Sequence, residues 1–443
     1  MDLAAAFIIF LLAMIFSIVR GISLVYALLT GLVAFTLLGM HRNFPLRDLT
    51  KMALGGARES LVVVEVMGVI GFLTAAWRVS GTITIFVYYG IQFITPPLFL
   101  IIAFLLSCVL SYAIGTSFGV AGTVGVIFMT LARSGGVDPI LTAGVLMSGV
   151  YFGDRGSPVS SSATLVAGVT QTKIYDNVKL MMRQCVVPFA VTLAIYAVLS
   201  FRNPISHVDQ DLVQMFESSF QLSLWAFVPA LIMLVLPLFR VDVMKAMGLS
   251  IGCSVLIAWL VQGVPLLTVV RTCILGYEAQ GSGLGSILNG GGFVSMVEIM
   301  IILVISCMYS GIFEGTKMLE SVQKQMEEAC SRFGRFFVMI LLSFFSAMIF
   351  CNQTIATLMC QNLLEKPYLD GGGSREELAL DMENSVILIS CMIPWCIGCS
   401  VPLAFFGVDV RAMPFAFYMY LVPIYYLAAK KRWFPNRPVV SVK

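Results

Sequence analysis

Apolar runs near or above the ~20 residues needed to cross a bilayer recur along this chain, and they restrict its fold more than any other feature. They include Leu3–Val19, Ile22–Met40, Leu61–Trp77, Pro97–Ile114, Cys185–Phe201, Leu222–Phe239, Met244–Val261, Phe293–Ile312, Phe336–Cys351, Val386–Phe406 and Met413–Ala429. Of 443 residues 59% are hydrophobic and 12% charged, against roughly 25% charged in an ordinary globular domain. A soluble reading is excluded. The expected fold is an all-α polytopic membrane protein with about ten to twelve transmembrane helices. It is expected to form a single membrane domain over residues 1–443, with the lipid bilayer as its first partner.

Only Asp2 carries charge ahead of Leu3, and no small-residue cleavage site follows, so the first run reads as a retained span. Basic residues cluster after the second span (Arg42, Arg47, Lys51, Arg58) and after the last (Lys430, Lys431, Arg432, Arg437). Both clusters belong in the cytoplasm, which puts both termini there and makes the number of crossings even. The loop from Glu314 to Arg335 mixes both signs and orients nothing. Nearly all eleven cysteines sit inside apolar runs, where a thiol acts as a small hydrophobe. Cys396 and Cys399 have redox or metal spacing, but only His41 and His207 occur in the chain, so a His-rich metal site is impossible. A net charge of +3 spread over loops gives no reason to expect nucleic acid.

Within this apolar background, Gly153-Asp154-Arg155-Gly156-Ser157-Pro158-Val159-Ser160-Ser161-Ser162 brings together an acid, a base, a proline and four hydroxyls. A helix break at membrane depth survives only against protein or a water-filled cavity. Charge there usually marks an ion or substrate path. Asp154 is the leading cation ligand and proton carrier: ionised, it binds Na+; protonated, it releases it. The alternatives are a permanent pair with Arg155 or a helix cap. Ser157, Ser160, Ser161, Ser162 and Thr164 offer hydroxyl oxygens that suit a hard cation, or bonds between packed helices. The segments Asp154–Ser162 and Pro394–Ser400 are both expected to be non-helical and to lie close together.

The two halves look related. Leu105-Leu106-Ser107 recurs as Leu341-Leu342-Ser343, and Pro158 recurs as Pro394; both offsets are 236 (341 − 105, 394 − 158). Ser80-Gly81 and Ser310-Gly311 come at 230 (310 − 80). Interrupted segments in corresponding places are a pointer to a transporter site. Repeat 1 is expected over about residues 60–200 and repeat 2 over about 290–429, with two further spans in the linker 202–289. The polar breaks add Thr116 and Ser117 in the first half, Asn352 and Gln353 in the second. Asp381 and Glu383 are read as opening the last broken helix, with Ser385 beside them. Glu65 and Glu298 lie inside apolar runs as accessory acids or snorkelling residues, and Arg78 is available to pair with either. Trp395 after Pro394 is either a packing wedge or a ring that stacks on cargo.

These residues also carry a family likeness. Trp77-Arg78-Val79-Ser80-Gly81-Thr82, Ser117 to Gly125, Tyr151-Phe152-Gly153-Asp154 with Ser157-Pro158, Gly290 to Met296, Cys351-Asn352-Gln353, Glu383-Asn384-Ser385 and Ile393-Pro394-Trp395 resemble the NhaC family of Na+/H+ antiporters. The pieces span about residues 68–408, roughly three quarters of the chain. The likeness implies two inverted-topology repeats with re-entrant or broken helices. It also implies Na+ and H+ as transported ions without a cofactor, and Na+ ligation in which Asp154, Ser117 and Asn352 take part. One position departs: the family's usual acid after Ser-Pro-x-Ser is Ser161 here.

Three functions compete. One is Na+/H+ antiport by alternating access in the inner (plasma) membrane of a prokaryote. The second is a Na+- or H+-coupled carrier or exchanger of a small organic solute, such as an amino acid or small carboxylate; Ser161, Trp395 and the extra glutamates favour it. The third, a membrane enzyme, lacks a nucleophile–base pair, metal cluster or phosphate loop. A homodimer is compatible with any of these.

Overall fold

The computed structural model describes residues 3–20, 22–93, 96–158, 160–204, 219–239, 241–279, 288–316 and 323–433. His207, Lys317 and Arg437, and parts of the linker 202–289, lie outside them. Everything between loops is helix: α1 Leu3–Arg20, α2 Leu24–His41, α3 Leu46–Val79, α4 Thr82–Phe93, α5 Phe99–Ile114, α6 Ser117–Ser134, α7 Pro139–Gly156, α8 Ser161–Thr170, α9 Ile174–Arg202 and α10 Val228–Leu238. Then come α11 Val243–Leu260, α12 Leu266–Leu275, α13 Phe293–Thr316, α14 Gln323–Phe333, α15 Arg335–Phe350, α16 Gln353–Asp370, α17 Arg375–Glu383, α18 Ile397–Phe406 and α19 Phe417–Trp433. The protein is an all-α polytopic membrane protein. Among the described residues four helical segments are singly long and apolar enough to cross a bilayer: α2, α6, α9 and Phe293–Phe313 of α13. Arg375–Met392 with Ile397–Phe406, bent by 53°, adds a broken span. Outer faces are large and apolar, as on α9 (Val187, Val191, Val198) and α15 (Leu341, Phe344, Phe345).

The offset of 236 governs helix boundaries throughout the core. Adding it to α5 gives 335–350, to α6 gives 353–370, to α7 gives 375–392 and to α8 gives 397–406. The same shift carries the breaks. Gly115 and Cys351 (351 − 115 = 236) are both left-handed, with φ 73° and 53°, and end α5 and α15. Thr116 and Asn352 follow as extended N-caps whose side-chain oxygens accept from the next helix. Gln171 and Gly407 (407 − 171 = 236) close α8 and α18 in the same left-handed conformation.

The repeats meet along α3 and α13. A Cβ on Gly56 would overlap the Cys307 carbonyl, and one on Gly71 would lie 2.8 Å from the Gly292 carbonyl. The helices therefore run antiparallel at close approach. Shifting Gly71 and Gly292 by 236 gives Cys307 and Gly56, so each contact is the image of the other. A two-fold that interchanges antiparallel membrane helices is perpendicular to them, which makes the repeats inverted. This register pairs Ser80 with Thr316, so the Ser80-Gly81 likeness to Ser310-Gly311 at 230 is not an equivalence.

The breaks are narrower than expected. α7 continues through Asp154 and Arg155 to Gly156, and α8 resumes at Ser161. Proline sets the boundary: Ser157 and Ile393, each before a proline, are extended with ψ 138° and 120°. Hence Asp154–Gly156, Ser161–Ser162 and Ile397–Ser400 are helical, and the breaks fall at Ser157, Pro158 and Ser160 and at Pro394–Cys396. Asp381 and Glu383 also differ from expectation. They end α17, whose first turn instead holds Glu376 and Glu377 behind the Ser374 cap.

Candidate functional site

α5–α6 and α15–α16 are hairpins whose turns lie at the two repeats' polar breaks. At the open end of the second, Arg335 at the start of α15 donates to Gly371 O (2.6 Å), just past α16. The first residues after the two turns, Ser117 and Gln353, converge on Asp154. Gln353 Nε2 lies 3.4 Å from Asp154 Oδ2 and 2.9 Å from Ile387 O, and the Ser117 amide faces the same carboxylate. Two helix N-termini thus point at one acid, and their dipoles favour its charge. Ser162 on α8 donates to Asp154 Oδ2 at 3.0 Å, and its oxygen is 3.4 Å from Gln353 Oε1. Asp154 itself is 4% exposed. Tyr151, three residues before it on α7, donates to Gly398 O at the broken span's restart.

Asp154 Oδ2, Ser162 Oγ and Gln353 Oε1 face this point, and at its edge the Ile387 and Gly398 carbonyls accept from Gln353 and Tyr151. That donor set suits a hard monovalent cation. Among the described residues no three His, Cys, Asp or Glu side chains form a metal cluster.

The other residues singled out by sequence have separate placements. Thr116 and Asn352 spend their oxygens on caps, to Gly119 N (3.3 Å) and Thr354 N (2.8 Å). Ser157 donates to Tyr112 O (2.6 Å). Ser160 caps α8 and donates to Asp154 O. Ser161 is exposed, one position out of phase with Ser162. Ser385 donates to Asp381 O (2.6 Å), and buried Trp395 to Met348 O (2.9 Å). Glu65 and Glu298 lie on exposed helix faces; Glu298 accepts from Ser23. Arg78 is buried and donates to Thr74 O (2.8 Å), not to either acid.

Beside Asp154 lies a second polar cluster. Arg155, fully buried, donates to Asn384 Oδ1 (2.6 Å) and Tyr418 OH (2.9 Å). Asn384 donates to Gln184 Oε1 (2.9 Å). Glu383, also fully buried, has Arg155 and Asp154 as its charged neighbours. Both its oxygens, Arg155 Nε and Gln184 Nε2 lack hydrogen-bond partners among the described residues. Nothing in the sequence assigned a role to Tyr151, Gln184 or Tyr418; Tyr151 figures only as the first residue of the family-like Tyr151-Phe152-Gly153-Asp154. A cavity of about 490 Å³ at the end of α3, lined by Phe220, Gln262 and Tyr277 among others, lies apart from all these residues.

Comparison with known proteins bears on this geometry. Residues 2–162 and 149–429 match the profile of the Na+/H+ antiporter family. A malate-2H+/Na+-lactate antiporter of Bacillus subtilis (strain 168) is 25% identical over 391 residues, 87% of this chain and 84% of that protein. The Na+/H+ antiporter NhaC of Alkalihalophilus pseudofirmus is 23% identical over 405 residues, 89% of this chain and 87% of its own. An arginine/ornithine antiporter ArcD of Halobacterium salinarum is 25% identical over 390 residues, covering 83% and 79%.

Proposed function

Because the chain belongs to the Na+/H+ antiporter family, we propose that it exchanges Na+ for protons by alternating access, with Asp154 as the shared site. One observation carries this: a buried carboxylate at the meeting point of two opposed hairpins, with the Ser162 hydroxyl and the Gln353 amide against it. Ionised Asp154 takes a dehydrated Na+; protonation discharges it. Na+ and H+ then exclude each other, which is the requirement for exchange. Below the carboxyl's pKa, apparent Na+ affinity falls as pH falls, up to tenfold per unit; above it, affinity levels off. The basic clusters support an orientation with both termini and the mouth of the α15–α16 hairpin on the cytoplasmic side of a prokaryotic plasma membrane. The repeat unit runs over about residues 60–200 and 290–429.

A second reading is supported by the relatives. Two named for organic exchange match at 25% identity, beside 23% for the NhaC protein, and Ser161 stands where NhaC-type chains usually have an acid. In that case Asp154 binds the coupling ion and the organic solute lies beside it.

The test is transport in proteoliposomes. Asp154→Asn, nearly isosteric and uncharged, is expected to lower Na+-driven proton movement at least 100-fold while purifying as a folded protein. A pH gradient that drives no Na+ flux in the wild type, with exchange of a carboxylate or amino acid instead, selects the second reading. An Asp154→Asn protein that still couples Na+ to protons at wild-type rates overturns the role of Asp154.

A further inference from the structure

We infer that the exposed faces of α8 and α16 form the water-filled path by which cytoplasmic ions reach Asp154, and that its counterpart to the other side is shut. The inference deepens the proposed function by locating the route to its site. The two helices run side by side in the same direction. Ser162 meets Gln353 at the inner end, and Arg375 links Thr170 O (3.3 Å) to Glu365 (3.1 Å) at the outer end. α8 places Ser161, Thr164, Gly168 and Gln171 on its exposed face at helical spacing, with no large apolar side chain among them. On α16 the matching face carries exposed Thr354, then half-buried Leu358, Gln361 and Glu365. Gln361 donates to Glu365 (2.5 Å). Lipid-facing helices here look different: α9 and α15 expose Val, Leu and Phe. Polar groups at membrane depth are costly unless they face water or protein. Ten residues of α8 rise about 15 Å, which carries the path from the mouth to the level of Asp154.

The inverted repeat supplies the comparison. Shifting these positions by 236 brings Ser161 to Ile397 (397 − 161), and Leu358 and Gln361 back to Gly122 and Gly125 (358 − 236, 361 − 236). On that side the start of α18 and the matching face of α6 are closed. Ile397 is 5% exposed, the Phe405 ring lies 3.6 Å from where a Gly122 Cβ would sit, and the Phe406 ring covers Gly125. Ser400 and Ala404, the counterparts of Thr164 and Gly168, are half-buried, so the equivalent face is open in one repeat and more closed in the other.

Thiol labelling with a membrane-impermeant maleimide tests this in the full-length protein. Native cysteines give a low background, since those other than half-buried Cys253 are buried. Gly168→Cys has open space for its side chain. Gly168→Cys and Thr164→Cys are expected to react from the cytoplasmic side, in inside-out vesicles, at least tenfold faster than Val191→Cys. The last is exposed on the apolar outer face of α9. Ala404→Cys, the counterpart of Gly168, is expected to stay unreactive from the opposite side. Rates at Gly168→Cys and Thr164→Cys no greater than at Val191→Cys, or faster labelling from the external side, overturn the path. Labelling does not require transport. Intact labelling without Na+/H+ exchange therefore defeats the cargo assignment alone, whereas exchange without labelling defeats the path alone.

Discussion

Asp154 draws its partners from the starts of three helices, where Ser117, Ser162 and Gln353 are polar positions in an otherwise apolar region. Gln353 serves two acceptors, since its amide nitrogen reaches Asp154 and the Ile387 carbonyl at once. Gln353→Ala removes a hydrogen bond to a charged group, worth about 1.5 kcal/mol, so the Na+ KM in liposomes is expected to rise roughly tenfold. Asn352 makes the contrast. Its oxygen already caps α16, so Asn352→Ala is expected to cost about 1 kcal/mol of stability. Asn352→Asp keeps the cap and should melt like wild type with unchanged Na+ KM; a KM lowered by the added carboxylate would make Asn352 an ion ligand instead. Much of this site was legible, because a carboxylate, an amide and hydroxyls stand out in apolar runs. The choice between Ser161 and Ser162 was not. It depends on helix phase, fixed by Ser160 as the cap of α8. Tyr151 stood in a family-like motif without a role of its own, since an aromatic ring in an apolar run reads as packing.

Among the elements, boundaries follow proline and left-handed residues rather than the charges. The sequence drew attention to Asp154 and Arg155 as breakers, yet a helix accommodates both because their side chains find partners on other helices. The pre-proline residues Ser157 and Ile393 do the breaking. Asp381 had a bland reading as a helix-end charge; instead it is wholly buried and ties α17 to α16 and α19. It accepts from Tyr368 (2.5 Å), Tyr426 (2.8 Å) and Lys430, which also pairs with Glu377 at 2.8 Å. No sequence spacing connects residues 381 and 430. Removing one member of a buried ionic cluster strands the others, so Lys430→Met is expected to destabilise by about 3–5 kcal/mol. Lys430→Met with Asp381→Asn should recover part of that, read as thermal melting in detergent. A Lys430→Met protein that melts like the wild type would show the cluster to be structurally idle.

At the scale of the whole molecule, the inverted repeat turns one conformation into an expectation about the other. Two units with the same helix boundaries but different exposure can exchange their arrangements, and a carrier that does so exposes Asp154 to each side in turn. The present arrangement packs Gly122 against Phe405. Their images under the shift are Leu358 on α16 and Val169 on α8 (122 + 236, 405 − 236), which flank the open path. In the outward-facing state those two should come together while Gly122 and Phe405 separate. A disulfide between Gly122→Cys and Phe405→Cys should therefore form readily, stop transport and leave Gly168→Cys reactive from the cytoplasm. One between Val169→Cys and Leu358→Cys should form slowly, stop transport and protect Gly168→Cys. Both effects should reverse on reduction, which separates trapping from misfolding. If the Val169–Leu358 link forms without slowing transport, or Gly168→Cys stays reactive once it has formed, the repeats do not exchange roles and the opposite state must arise by some other motion.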